Sequence, residues 1–492
     1  LKGQILSALF LYMKSILVLI IFVFYSFSFC NVFNGVTLFS VSSGIGNSNT
    51  YIINNNYDII NQWNHELSTI GIPYLNHDGS LILQFRSVEH SFGNSHGPIG
   101  GIFKKLDWHG NEVWSNYFFS NTFHPHHDFE VMPNGNILIL GWEKKTYSEA
   151  LNAGRLNVEN EIWPLTIYEV ALNQDTEFEI IWEWHIWDHL VQDVDSSLTN
   201  FGIIKNHPEL IDINIGQFTN PNEGDWLHTN AIAYNSDLDQ IVFSSKHLNE
   251  IFIIDHSTTT LQASGHDGGN SNKGGDILYR WGNPTNYGRG SNSDQKLNAQ
   301  HGVHWIPLGY PGAGKLLVFN NNPSDTLSNS NQFGNSSVVE LLPPINTDGN
   351  YFLTSDSIYG PENFDLIYGN DDSFFSSFQS GAYRLKNGNT IITVTQEKFL
   401  FEINQEGQII WDCKIDSLIN ENGFTARAKK YNINYLDSII GDVYTDTKLN
   451  VYDVIRTSDI IFENQFLEKC DLNEDGSVTE DDINVLLNFI FN

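Results

Sequence analysis

The stretch HPHHDFEVMPNGNILIL, residues 124–140, carries a turn pair, Asn134-Gly135, and then an apolar run. Seven positions before that turn pair stands His127. The layout recurs along the chain. His228 precedes Asn235-Ser236, His301 precedes Leu308-Gly309, Ser380 precedes Asn387-Gly388 and Gly71 precedes Asp78-Gly79, each at the same offset. Recurring units of this size occupy equivalent places in a repeat fold. Side chains at one repeat position then form a ring about a common axis. Three imidazoles remote in sequence, those of His127, His228 and His301, are therefore expected to meet.

Short runs follow the turn pairs: SLILQF, NILILGW, QIVFSS, KLLVFNN and NTIITVT. They are rich in Ile, Leu, Val and Phe and bounded by Gly, Asn and Asp, which marks strands. Further strands follow, as in IYEVAL then FEIIWEWHI and FLFEIN then GQIIWDCKI. Each unit reads as four antiparallel strands, a propeller blade. The anchors lie 56 to 101 residues apart, so long loops are inserted, chiefly in 185–225 and 262–300. Five inner strands are visible, and TYIINNN and DIINQWNHE read as outer strands of another blade. Both chain ends sharing that blade would close the ring and remove exposed edges. The fold class expected over 35–435 is thus all-β, a six-bladed propeller, with seven blades as the alternative.

Residues 441–492 change character. GDVYTDTKLNVYDVIRTSDIIF and CDLNEDGSVTEDDINVLLNFIF are two copies, 29 residues apart. In the second, Asp471, Asn473, Asp475, Ser477, Thr479 and Asp482 hold positions 1, 3, 5, 7, 9 and 12 of a calcium loop, with Gly476 at 6. A hard Ca²⁺ needs six to eight oxygens, and the glycine permits the sharp turn. The first copy is eroded: Asp442, Asp446 and Asp453 keep positions 1, 5 and 12, but Tyr444 and Thr447 replace a ligand and the glycine. A small α-helical Ca²⁺-binding module is expected here. The pair resembles a type I dockerin, which implies a cohesin-like protein partner.

The chain has 25 Lys plus Arg against 58 Asp plus Glu, a net charge of −33. Such a surface repels nucleic acid and anionic membrane, and makes any cation near the histidines notable. Residues 1–30 read as a secretory signal peptide starting at Met13, with the apolar run SILVLIIFVFYSFSF after Lys14. An exported protein is expected: periplasmic, cell-surface or secreted, with no membrane span after cleavage. Cys30 follows Phe27 and Phe29, a poor setting for lipid attachment. Beyond it only Cys413 and Cys470 remain, too few for disulfides to hold the fold.

The segments around the anchors resemble the bacterial arylsulfotransferase family. The resemblance runs through HPHHDFEVMPNGNILIL, IIWEWHIWDHL, DWLHTNAIAYNSDLDQIVFSSKHLNEIFIID, GGDILYRWGNP, QHGVHWIP and SGAYRLKNGNTII, over roughly 50–435. It implies a six-bladed propeller with an axial site, where a histidine transiently takes a sulfuryl group from a phenolic sulfate donor and passes it to a phenolic acceptor. The family's key residues fall on His228, Lys246, His127 and His301. One departs from the family: Lys246 stands where the family has arginine.

The chemistry of the residues agrees. A neutral imidazole attacks sulfur and splits one hard step into two. A second histidine serves the leaving phenolate as proton donor. Fixed cations and donors stabilise the spread charge on the equatorial oxygens. The expected roles are His301 nucleophile, His228 general acid/base, Lys246 oxygen clamp and His127 orienting or donating. Asn230, Arg280 and His126 are the candidate substrate-binding residues. Arg280 is read equally as an anion clamp or as the partner of a structural carboxylate. Asp128 is either a partner that fixes a histidine tautomer or a turn residue. His185 and His189 either line a substrate mouth or pack in an aromatic loop, and His124, His247 and His304 lack the repeat equivalence. No cofactor is expected at the axis. Two rivals stand beside this reading: a metal-dependent hydrolase or lyase using the three axial histidines, and a non-catalytic propeller scaffold.

Overall fold

The computed structural model describes residues 31–87, 92, 98–216, 224–321, 335–346, 350–354, 358–369, 373–436, 443, 449–462, 470, 472 and 477–491. Six four-stranded antiparallel sheets form the blades of a propeller. Their inner strands are Thr69–Leu75, Phe123–Val131, Thr229–Asn235, His301–Trp305, Gly381–Arg384 and Ala428–Asn432, and neighbouring blades pack together all the way round the ring. We number the blades 1 to 6 in that order. The expected closure is present. The innermost strand of blade 6, Ala428–Asn432, comes from the far end of the domain and pairs with Gly35–Ser42, while Ser48–Asn54 and Ile59–His65 complete the sheet.

The apolar runs are explained by where their two faces go. In blade 2, Ile137 and Ile139 join a cluster with Ile82, Phe103 and Trp114 of blade 1. Leu138 and Leu140 join a cluster with Ile232, Ile241 and Phe243 of blade 3. Successive side chains of a strand alternate faces, so a strand sandwiched between two blades must be apolar at every position. Clusters of the same kind fill the remaining gaps between blades. The outermost strand Ile409–Lys414 is covered on one side only, and its burial alternates residue by residue.

The turn pairs are hairpins. Gly135 donates its N–H to the Met132 carbonyl at 2.9 Å, and Met132 donates to the Asn136 carbonyl at 2.8 Å. Gly79 with Asn76 and Gly388 with Leu385 repeat this bonding, and the three glycines lie at φ of 76 to 92°. A side chain there would strain the left-handed backbone.

Two 12-residue helices, Val451–Phe462 and Glu480–Phe491, pack on each other at the C-terminal end. Asp453 and Asp482 are the third residue of each helix and are buried; their carboxylates accept the N–H of Asn450 and of Thr479, both at 2.8 Å. The two copies therefore share a local design at position 12. Ser477 and Thr479 are also described, whereas Asp471, Asn473, Asp475, Asp442 and Asp446 lie outside the described residues, as does the segment 1–30. Among the described residues no helix is long and apolar enough to cross a membrane.

Candidate active site

The inner strands reach the axis with a kink. In blades 1, 2 and 4 the register against the second strand shifts by a bulge. The left-handed residues are Gly71, His127, His228 and Ser380, at φ of 71, 56, 47 and 77°. Non-glycine residues occupy this region rarely, and bulges re-aim side chains at the rims of barrels and active sites. In blade 4 left-handed backbone falls on either side of His301, at Ala299, 54°, and Gly302, 66°. His301 keeps the hairpin register of the other anchors: it stands five residues before the Ile306 N–H that bonds Lys315, as His127 stands five before the Met132 N–H that bonds Asn136.

His127, Asn230 and His301 line an axial cavity of about 20 Å³, together with Gly71, Ser380 and Arg427. An adjoining cavity of about 230 Å³ shares Gly71 and Pro98 with it. The His228 ring lies edge-on to that of His127, centroids 4.6 Å apart. Three histidines from three blades are therefore brought together.

Hydrogen bonds fix how each imidazole presents itself. His301 Nδ1 faces two acceptors, Asn321 Oδ1 at 2.7 Å and the Ala299 carbonyl at 3.0 Å. Asn321 is oriented by its own Nδ2, which donates to the carbonyls of Ser376 and Gln379, each at 3.0 Å. Nδ1 therefore carries the hydrogen, and Nε2 of His301 holds the lone pair. Burial, with help from the Lys246 ammonium, pushes the His301 imidazole down to about 3. It is neutral at neutral pH.

His228 Nδ1 faces Asp225 Oδ2 at 2.5 Å. Asp225 is buried, and its Oδ1 accepts Trp142 Nε1 at 3.0 Å and the His228 backbone N–H at 3.2 Å. Burial works to raise the Asp225 carboxyl, but the charge and hydrogen bond of His228 outweigh it and hold it well below the usual range. His127 is pushed far down by burial, then by its histidine neighbours and Lys246. Its Nδ1 lies 2.8 Å from Nδ1 of His126. His126 is fully buried behind it, stacked on Trp142 with centroids 4.1 Å apart. His126 thus supports His127 and does not line the cavity. Asn230 donates Nδ2 to the Gln300 carbonyl at 2.8 Å, which leaves its buried Oδ1 without a protein partner at the cavity wall. Lys246 is half-buried; burial lowers its ammonium and Asp225 draws it back up.

Two expectations are corrected. Arg280 is not at this cavity. It is fully buried and bidentate to Glu250, at 2.9 and 2.6 Å, with a third bond to the Leu210 carbonyl. Its fork is spent on a structural carboxylate, leaving no face for a substrate anion. Asp128 fixes no histidine: its Oδ1 pairs with Arg427 Nη2 at 2.7 Å and its Oδ2 accepts the Ile232 N–H. Of the open pair of readings for His189, the packed loop holds, since it lies flat on Trp184. Asp225, Asn321 and Arg427 are the residues that the sequence reading missed. Only Asp225 left a local trace, three positions before His228 in DWLH.

A larger cavity, about 860 Å³, lies away from His127, His228 and His301. It lies at the turn-pair end of the inner strands, among Tyr74, Glu130, His304, Tyr383 and Lys429. Arg427 lines both cavities, so its pair with Asp128 stands between them. Among the described residues, the group of three His, Cys, Asp or Glu whose ligand atoms converge is His189, His266 and Asp276, not the axial trio.

The buried histidines are expected to weaken the fold in acid. Burial pushes His65, His247 and His304 down to about 4, and His126 and His301 to about 3. In an unfolded chain they titrate near 6.5. Between those values the unfolded chain takes up protons that the fold refuses. Their stabilisation is complete above about pH 6.5 and declines as pH falls. His185 and His256 oppose this in part, because acidic partners outweigh burial and raise them. Denaturant titrations from pH 7 to 4.5 are expected to show falling stability, by about 1.4 kcal/mol per pH unit for each net proton taken up on unfolding. Stability that stays level or rises would contradict the burial described.

The chain matches the family model described as Arylsulfotransferase (ASST) over residues 68–341. No curated protein matches the chain. Among solved structures it is similar to a protein of unknown function from Bacteroides caccae, at 12% identity over 80% of this chain and 98% of that one, TM-score 0.42. It is also similar to the periplasmic gluconolactonase PpgL of Pseudomonas aeruginosa, at 8% identity over 80% and 98% of the two chains, TM-score 0.38. The matched span covers more than half of the chain and takes in blades 1 to 3 and most of blade 4, with His127, His228, Lys246 and His301 all inside it, and on that match this protein belongs to the arylsulfotransferase family.

Proposed function

We propose that this propeller moves a sulfuryl group from a phenolic sulfate ester to a phenolic acceptor by way of His301. His301 Nε2 attacks sulfur, an N–S bond forms and the S–O bond to the aryl group breaks. His228, entering as an imidazolium held through Nδ1 by Asp225, gives its Nε2 proton to the departing phenolate and is left neutral. The acceptor phenol then returns a proton to His228, its oxygen attacks sulfur, and the N–S bond breaks. The observation that carries this is a neutral His301 with its hydrogen locked on Nδ1, beside an Asp225–His228 pair, on one axis. A locked tautomer leaves the nucleophilic lone pair on a known atom, and a carboxylate on Nδ1 stabilises the imidazolium that His228 must become.

Lys246 and Arg427 supply positive charge to the equatorial oxygens of the transferring group. Lysine acts as a point charge and lacks arginine's planar fork. Arg427, already held by Asp128, adds a guanidinium that needs no reorganisation during the reaction. Asn230, at the cavity wall with its Oδ1 unpaired, is the candidate acceptor for the incoming phenol's hydroxyl. The deciding assay is release of a chromogenic phenol from an aryl sulfate, accelerated by an added phenol. No turnover with any aryl sulfate would overturn the reading. Lys246→Met is expected to cost roughly 2–4 kcal/mol of transition-state stabilisation, read as kcat/KM. An unchanged kcat/KM would remove Lys246 from the site.

We also infer that 441–492 is a dockerin-like Ca²⁺ module on an exported protein. Ser477, Thr479 and Asp482 offer the hard oxygens that Ca²⁺ takes, and buried Asp482 already ties Leu472 to Thr479 across the loop. Chelating Ca²⁺ from the full-length protein is expected to speed amide exchange in 441–492 and to leave the blades unchanged. Asp475→Ala should act in the same direction. Exchange unaltered by chelation would refute a calcium module.

A further inference from the structure

We propose that His189, His266 and Asp276 bind one Zn²⁺-type ion, away from the axial site. The three residues lie in the two insertions that the propeller itself does not require, in WEWHIWDHL and in GHDGGNSNKGGD. Their ligand atoms all lie within 4.8 Å of one another. Nδ1 of His189 is 2.8 Å, and Nδ1 of His266 2.7 Å, from the same oxygen, Asp276 Oδ1.

His189 is fully buried, its ring flat on Trp184 at 5.5 Å and 7°. Its Nε2 faces the Ala263 carbonyl at 2.8 Å, an acceptor, so Nε2 carries a hydrogen. The approach is possible because residue 275 is glycine: a Cβ there would stand 2.0 Å from the Ala263 carbonyl oxygen and 2.6 Å from His189 Nε2. A neutral His189 therefore points the lone pair of Nδ1 at a carboxylate oxygen, which is repulsive. A cation between the lone pairs of His189 Nδ1, His266 Nδ1 and Asp276 Oδ1 turns that repulsion into attraction. An N–H donated to a backbone carbonyl, with the other nitrogen turned to a carboxylate and a second imidazole, is the usual dress of a metal-ligating histidine.

Two imidazole nitrogens and one carboxylate oxygen suit a borderline divalent ion, and water completes a tetrahedron. With bonds of about 2.0–2.1 Å, tetrahedral ligand atoms stand about 3.3 Å apart. The observed 2.7 and 2.8 Å need only a small opening, and the His266 side chain, 62% exposed, is free to give it. The open side faces a cavity of about 830 Å³ that Asp276 and His266 share with Glu149, Asp188, His207 and Glu209, an acidic approach for a cation. Bound there, the ion clips the 185–215 insertion to the 260–278 insertion. None of the three ligands lines the axial cavity, so this site stands or falls independently of the sulfuryl-transfer reading.

The test uses full-length, metal-stripped protein with Ca²⁺ kept saturating. Calorimetry with Zn²⁺, and visible absorption with Co²⁺, are compared with those of His266→Ala and Asp276→Asn. The wild type is expected to bind about one equivalent that His266→Ala lacks or binds about 100-fold or more weakly, with a rise in Tm seen only in the wild type. The Co²⁺ spectrum should lose its imidazole-dependent bands in the variant. His266 is exposed, so its removal leaves the fold intact and decides the matter even where Asp276→Asn folds poorly. Binding of the same stoichiometry and affinity in His266→Ala, or no binding tighter than millimolar in the wild type, would overturn the proposal.

Discussion

His301→Ala is expected to lower sulfuryl transfer by about 10⁴-fold or more, because removing a covalent nucleophile abolishes the first half-reaction and does not merely weaken binding. The initial burst of phenol should vanish while the KM for the aryl sulfate changes little. Asn321→Ala offers a graded companion. It removes the nearer of the two acceptors of His301 Nδ1 and leaves the Ala299 carbonyl at 3.0 Å, so ring and tautomer are held less firmly and rate falls without loss of the nucleophile. A His301→Ala enzyme that retains its burst would assign the chemistry to another residue.

Asp225→Asn is expected to cost on the order of 10³-fold, more than its size suggests. Trp142 Nε1 and the His228 N–H both donate to Asp225 Oδ1. An asparagine keeps its oxygen on those donors and turns its NH₂ toward His228 Nδ1. That nitrogen then becomes the acceptor, and the hydrogen of a neutral His228 moves to Nε2. The ring also loses the carboxylate that stabilises its charged form. The loss should grow as the phenol becomes a poorer leaving group, since such substrates depend most on the acid. His228→Ala placed on top of Asp225→Asn should add little. A uniform loss across leaving groups would reduce Asp225 to a structural role.

The period of turn pairs and apolar runs made the blades legible, because a strand between two blades must be apolar on both faces, as Ile137–Leu140 is. The three histidines were legible for the same reason: one repeat position is one place on the axis. What escaped the sequence is whatever depends on long-range pairing. Arg427 reaches Asp128 only because the closing strand brings residues some 300 positions apart face to face. Arg280 was open between two roles until Glu250, across the adjacent strand, took both arms of its fork. Asn321 sits at the end of a strand among other asparagines, and nothing local marks the one that holds His301.

The central claim is that the sulfuryl group rests on His301 Nε2 between donor and acceptor. Mass spectrometry of protein mixed with an aryl sulfate in the absence of acceptor, quenched in alkali and digested, tests it directly. The account predicts an adduct of about 80 Da, the mass of SO₃, on the peptide that carries His301, discharged when a phenol is added before the quench. An adduct mapped to His127, His228 or any other residue, or turnover with no adduct at any time, would contradict it.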